Sequence, residues 1–198
     1  MGFKLSSAIA IARGVLLDRK VAYRYSEADL LEYGNGALRA LTSIAPHLLY
    51  TDGEVTCIAN QARQHLFYDD AFALVEVRRI KNGNVILQAD RAAMDAFMPG
   101  WVNATSAAAI NWFQVADDKM RFDLYPPAPN GQIVEVLYIR IPGPYTSDDD
   151  TGLPISITEA VADYMVGYAE SRNDESVNSN RAAQFIASFT ARLGAIKG

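Results

Sequence analysis

The side chains able to do chemistry in this chain are few and far apart. Cys57 is the one thiol, and His47 and His65 are the two imidazoles. They lack the paired spacing with which Cys and His hold zinc. Gly34-Asn35-Gly36 starts like a phosphate-cradling glycine loop, but Arg39 stands where the third glycine belongs and no strand precedes it. Glu159 and Asp163 lie one helical turn apart, close enough for two carboxyls to meet. Nothing in these patterns gathers an acid, a base and a substrate pocket, which catalysis requires. Asn103-Ala104-Thr105 matches a glycosylation acceptor, a match without weight where no secretory signal accompanies it. The sequence predicts a protein that is not an enzyme and uses no cofactor or metal.

Composition points the same way. At 198 residues and 21.7 kDa, half hydrophobic and 21% charged, the chain can bury a core of its own in one domain. Its net charge of -5 and pI near 5.0 argue against gripping nucleic acid, which draws on clustered Lys and Arg. A duplex can still pass beside such a surface. A lone cysteine cannot close an intramolecular disulfide, which suits a reducing, cytosolic origin. Met1 to Leu17 is broken by Ser6, Ser7 and Arg13 and is short for a bilayer, so it reads as an amphipathic helix and not as a signal or membrane anchor.

Hydrophobic period gives the elements that carry these residues. Leu5, Ile9, Ala12 and Leu16 recur at helical spacing, predicting a first helix from Phe3 to near Asp18. A second helix follows Ser26, where Ser26 and Asp29 make a weakened capping box. Leu30, Leu31, Leu38, Leu41 and Ile44 form its apolar stripe, and Pro46 ends it. Gly34 and Gly36 inside that stripe each cost about 1 kcal/mol relative to Ala, so a neighbouring helix approaches closely there or the helix bends.

The middle switches to alternation. Val55 to Ile58, Gln64 to Tyr68 and Phe72 to Ile80 read as strands, and Asn82-Gly83-Asn84 predicts a hairpin turn into Val85 to Gln88. Asp90 caps a short helix through Phe97, closed by Pro99-Gly100. Asn111 to Val115, Met120 to Tyr125 and Gln132 to Ile141 follow as a three-strand meander, turned at Asp117-Asp118 and across Pro126 to Gly131. Pro142-Gly143-Pro144 stops the last strand. Ser147 to Gly152, with Asp148, Asp149 and Asp150, reads as a solvated linker. Thr158 caps a helix to about Ser171, and a last helix runs from about Glu175 to Leu193, with Gly194 as its stop.

The predicted fold is α+β. Four long helices, two from each end of the chain, form a bundle with an inserted antiparallel β-rich region and one short helix. Residues 1–50 supply the first helix pair, 51–145 the insert and 153–194 the second pair, all within a single domain of residues 1–198.

In sequence order, DAFMPGWVNAT (Asp95 to Thr105), INWFQVADDKMRFDLYPPAPNGQIVEVLYIRIP (Ile110 to Pro142) and ITEAVADYMVGYAESRNDESVNSNRAAQFIASFTARLG (Ile157 to Gly194) resemble the head-to-tail adaptor proteins of short-tailed phages, related to tail tubular protein A. The shared features are Pro99 to Trp101, Tyr125 to Pro129, Asp163-Tyr164 and Ala182 to Phe185. The N-terminal half agrees in helix order, with Leu30 to Leu49 as its usable part. The glycine pair of the second helix departs from the family's pattern.

The resemblance implies a virion structural protein at the head–tail interface, assembled in the host cytoplasm. It would form a ring with copies of itself, usually a dodecamer, between portal and tail nozzle. Double-stranded DNA would cross the lumen without specific binding, and no membrane is involved. Aromatics serve both packing and interfaces. Trp101, Trp112, Tyr125, Pro126 and Pro127 are therefore the candidate subunit-interface residues, and Asp148, Asp149 and Asp150 the candidate lumen-facing acidic run. The alternative is a stand-alone α+β ligand- or peptide-binding domain without catalysis, which predicts a monomer with a pocket.

Overall fold

The computed structural model describes residues 2–18, 23–172 and 179–196. The elements run α1 (Leu5–Val15), α2 (Glu27–Ile44), β1 (Tyr50–Thr56), β2 (Arg63–His65), β3 (Ala71–Ile80) and β4 (Leu87–Gln88). They continue with α3 (Arg91–Phe97), β5 (Asn111–Gln114), β6 (Arg121–Tyr125), β7 (Ile133–Arg140), α4 (Thr158–Ser171) and α5 (Ser179–Ala195). Two compact units result, one from residues 1–49 with 142–198 and one from residues 50–141.

In the helical unit α4 is the hub. Its Ala160, Ala162, Gly167 and Ala169 are buried along with Val161 and Met165, so it is apolar nearly all round and α1, α2 and α5 all pack on it. Small residues allow that approach. The Ser26 hydroxyl caps α2 by accepting from the Asp29 amide at 3.0 Å. Side chains of both α1 and α4 crowd Gly34 of α2: a Cβ there would collide with the Met165 methyl and lie 2.8 Å from Leu5 Cδ2. Thr158 is no cap. It is already helical and its hydroxyl donates to the Ile155 carbonyl at 2.6 Å. The expected start of the last helix at Glu175 lies outside the described residues.

The other unit holds two sheets. One has the order β1-β7-β3 and is antiparallel throughout; the other has the order β2-β6-β5-β4, with β4 parallel to β5. Val55, Val134 and Val136 from the first sheet pack with Trp112, Phe122 and Leu124 from the second. On the second sheet's other face Trp101 covers Phe113. Both faces of that sheet are therefore buried, which is why β6 does not alternate in exposure.

Along β1, Cys57 N–H bonds the Gln132 carbonyl at 2.9 Å. Counting by twos, Val55 and Gly53 also face β7, so the amide and carbonyl of Glu54 point away from the sheet. Both meet the Tyr68 hydroxyl, which accepts from Glu54 N–H at 2.8 Å and donates to its carbonyl at 2.7 Å. The Tyr68 ring stacks on Tyr138 at 4.9 Å.

These findings correct the expected fold class. Among the described residues there are five helices and seven strands in two sheets, in place of a four-long-helix bundle with an inserted antiparallel region. The strands do not depend on a helical bundle for cover, since the two sheets bury each other's apolar faces. The expected meander also divides. β5 and β6 pair with each other, but β7 crosses into the other sheet between β1 and β3. The expected hairpin keeps its turn, with Asn82 at φ 57° and Ile80 N–H bonded to the Asn84 carbonyl at 2.9 Å. After the single bridge between Arg79 and Val85 the chain leaves to join β5.

Candidate functional site

α3 and the 3-10 turn at Trp101–Asn103 form a ridge held by several cooperating contacts. Asp90 caps α3, its Oδ1 accepting from the amides of Ala92 at 2.7 Å and Ala93 at 3.2 Å. The cap fixes Arg91 in the first turn, where its Nη1 donates to Asp123 Oδ2 at 2.5 Å. One turn on, Asp95 accepts from the Trp101 indole Nε1 at 2.7 Å and lies 3.8 Å from Arg91 Nε. Trp101 then rests on Phe113, ring centres 4.8 Å apart, with Tyr125 edge-on at 6.4 Å.

Asp123 is the anchor. Its side chain is 2% exposed, and Arg63, directly opposite on β2, donates Nε to Oδ1 at 3.1 Å. A carboxylate buried this deeply needs partners for both oxygens, and two arginines supply them. Phe113, Asp123 and Tyr125 fall on one face of the sheet by strand alternation, so the ridge is held there by an ion pair and an aromatic stack together. What it presents outward is apolar. Phe97 is 88% exposed, and Met98 and Val102 beside it are also open. The charges beneath it, Arg63, Arg91, Asp95 and Asp123, are paired with one another.

The structure brings some of the sequence candidates together and separates others. Trp101 and Tyr125 meet; Trp112 lies on the opposite face of the sheet, fully buried between the sheets. Pro126 is half-buried after a cis peptide with Tyr125, and Pro127 is buried, its carbonyl accepting from Ala107 N–H at 3.1 Å. Asp148, Asp149 and Asp150 are exposed in the helical unit. Asp149 accepts from the Thr146 amide at 2.7 Å. Asp150 accepts from the amides of Gly2 at 2.9 Å and Gly152 at 3.0 Å, which hold its carboxyl below the usual range.

The other chemical candidates have ordinary surroundings. Glu159 and Asp163 share Arg192 of α5, and Asp163 also accepts from Ser188 Oγ at 2.6 Å. Cys57 is buried, which pushes its thiol up to about 11, with a Gln132 hydrogen bond acting the other way. Among the described residues no group of His, Cys, Asp and Glu could hold a metal ion, and no helix is long and apolar enough to cross a membrane. Arg63, Arg91 and Asp123 were not legible as a set. They lie 32 and 60 residues apart, and only Asp123, a charge inside an apolar strand, carried a signal.

Residues 4–198 match the family described as SU10 adaptor protein. No curated protein matches the chain. Among solved structures it is similar to a chain in the neck of an empty GTA particle computed with C6 symmetry, at 19% identity over 98% of this chain and 92% of that one, with a TM-score of 0.34. A chain in the neck of a native GTA particle computed with C12 symmetry is 18% identical over 98% of this chain and 91% of that one, with a TM-score of 0.30.

Proposed function

The chain belongs to the SU10 adaptor protein family, and from that premise we propose that it is a head-to-tail adaptor: a virion protein whose copies form a ring, a dodecamer in the finished particle, joining the portal to the tail nozzle. The genome passes through the lumen of that ring. The observation that carries this reading is the family match across residues 4–198, nearly the whole chain. The composition is compatible, since the chain's net charge of -5 favours transit of a polyanion over retention.

In this reading the Trp101 ridge is a contact surface. Trp101 and Tyr125 fix its shape from beneath, and Phe97, Met98 and Val102 supply the apolar area that an assembly partner covers. The test is to purify the full chain and image it by negative stain, alone and after mixing with portal rings of the same virus. Rings, or portal particles capped by an added ring, are expected. A protein that stays monomeric and leaves the portal bare would end the adaptor reading.

A further inference from the structure

α2 and α4 enclose a cleft of about 340 Å³ lined by Tyr33, Gly36, Arg39, Tyr164, Tyr168 and Arg172, with Glu32 alongside. Tyr164 and Tyr168 stack with ring centres 4.4 Å apart and form an aromatic wall, with Tyr168 42% exposed. Arg172 is held in place by donating to the Tyr33 hydroxyl at 3.1 Å. Arg39 is exposed and its guanidinium has no hydrogen-bond or ion-pair partner among the described residues. Glu32 lines the cleft and, with Asp29, acts on Arg172, so the positive charge left without a close partner is the Arg39 guanidinium.

Gly36 supplies a second, independent sign of an occupant. A Cβ there would meet only Tyr164, at 3.5 Å and beyond, which is ordinary contact. Nothing within the described chain requires a glycine, yet it weakens the helix by about 1 kcal/mol relative to Ala. Its missing side chain deepens the cleft.

The complementary group is on the same unit. Thr146, Gly2 and Gly152 amides fix the backbone of the acidic loop through Asp149 and Asp150. Asp148 between them is exposed and makes no hydrogen bond or ion pair with a described residue. Gly2, which anchors this loop, lies beside Thr158 and Glu159 at the start of α4, whereas the cleft uses Tyr164, Tyr168 and Arg172 at its end. Ten residues of helix separate Thr158 from Tyr168, roughly 15 Å at the helical rise. The segment entering the loop is bonded to α2 through Tyr145 and Asn35, yet Asp148 makes no hydrogen bond or ion pair with Arg39 or Arg172 of its own copy.

We propose that the cleft receives the Asp148 loop of the next copy, the Asp148 carboxylate lying between Arg39 and Arg172 and against Tyr168. The inference rests on the ring reading above and gives it a specific lateral contact. Joining two different patches makes that contact heterologous, the kind that repeats around a closed ring.

The test uses Asp148→Arg and Arg39→Glu in the full chain, with unchanged melting temperature as the check that each folds. Each variant alone is expected to raise the concentration needed for ring assembly, alone or on portal, by about tenfold or more. An equimolar mixture of the two should recover assembly, because the reversed loop of one faces the reversed cleft of the other. No role within a single copy gives that recovery. Single variants that assemble like the parent, or a mixture that stays defective, would overturn the pairing while leaving the ring in place. Normal rings that pass DNA poorly when Asp148 is reversed would assign the loop to the lumen. A parent protein that forms no ring in either setting would remove the ring reading itself.

Discussion

Arg91 reaches from the first turn of α3 to within 2.5 Å of Asp123, a carboxylate buried in the middle of β6. This pair decides whether the Trp101 ridge stays seated, because Arg91 also adjoins Asp95, the acceptor of the Trp101 indole. Arg91→Ala leaves Asp123 with Arg63 alone and one oxygen short of a partner. The expected loss is about 1–3 kcal/mol in chemical denaturation. An Arg91→Ala protein as stable as its parent would mean that the ridge is held by the aromatic stack alone.

Phe97 gives the opposite case, a large apolar side chain with almost no contact inside the chain. Phe97→Ser should leave the denaturation midpoint within about 0.5 kcal/mol of the parent, as surface changes do. Its effect is expected in assembly on the portal, scored by negative stain. Full ring occupancy with the serine variant would remove the ridge from the set of contact surfaces.

The two glycines of α2 should respond with opposite signs. Gly34→Ala forces a methyl group against Met165 and Leu5 and should destabilise by about 1–3 kcal/mol. Gly36→Ala meets no such obstacle and should stabilise by up to about 1 kcal/mol. Thermal melts of the two variants against the parent give both signs in one experiment, and a shared sign would show that α2 is seated differently.

Cys57 ties stability to alkaline pH. Burial keeps its thiol protonated up to about 11 in the folded chain, whereas an unfolded cysteine releases its proton near the ordinary value of 9.0. Between those values the unfolded state binds fewer protons than the folded one, so stability falls as pH rises from about 9 to 11. Cys57→Ala should flatten that slope when urea midpoints are compared across the window. Native Cys57 should also resist thiol reagents at pH 8 until the chain unfolds.

Much of the local structure was legible because it depends on neighbours in sequence. The apolar spacing of Leu30, Leu38 and Leu41 identifies α2, Ser26 and Asp90 are caps in fact as in pattern, and Asn82 supplies the positive φ its turn needs. What failed depends on partners far away. β7 alternates in exposure as a meander strand would, and nothing in Ile133 to Arg140 records that its hydrogen bonds go to β1 and β3 and not to β6. The bundle expectation failed for a related reason: apolar stripes state that helices must be covered, and are silent about residues 50–141 building a second compact unit from two sheets of their own.

The ridge was half legible. Trp101 stands out in the sequence as an aromatic able to serve packing or an interface and Tyr125 as the end of a strand stopped by Pro126-Pro127, and the two rings touch. Their role beneath the surface follows from Asp95 and Phe113, whose pairing with Trp101 exists only once β5 and β6 are side by side. The Arg39 and Tyr168 cleft left no sequence signal except Gly36, whose helical cost looked like one more packing glycine.

The Tyr68 phenol occupies both outward-facing backbone groups of Glu54 midway along β1. A flank blocked at its centre cannot be zipped, amide by amide, onto the flank of another molecule. Proteins that must crowd together in order have good reason to forbid that easy and unlimited mode of sticking. Along this flank one hydroxyl leaves recognition to side chains, whose shapes can specify where a growing array begins and when it is complete.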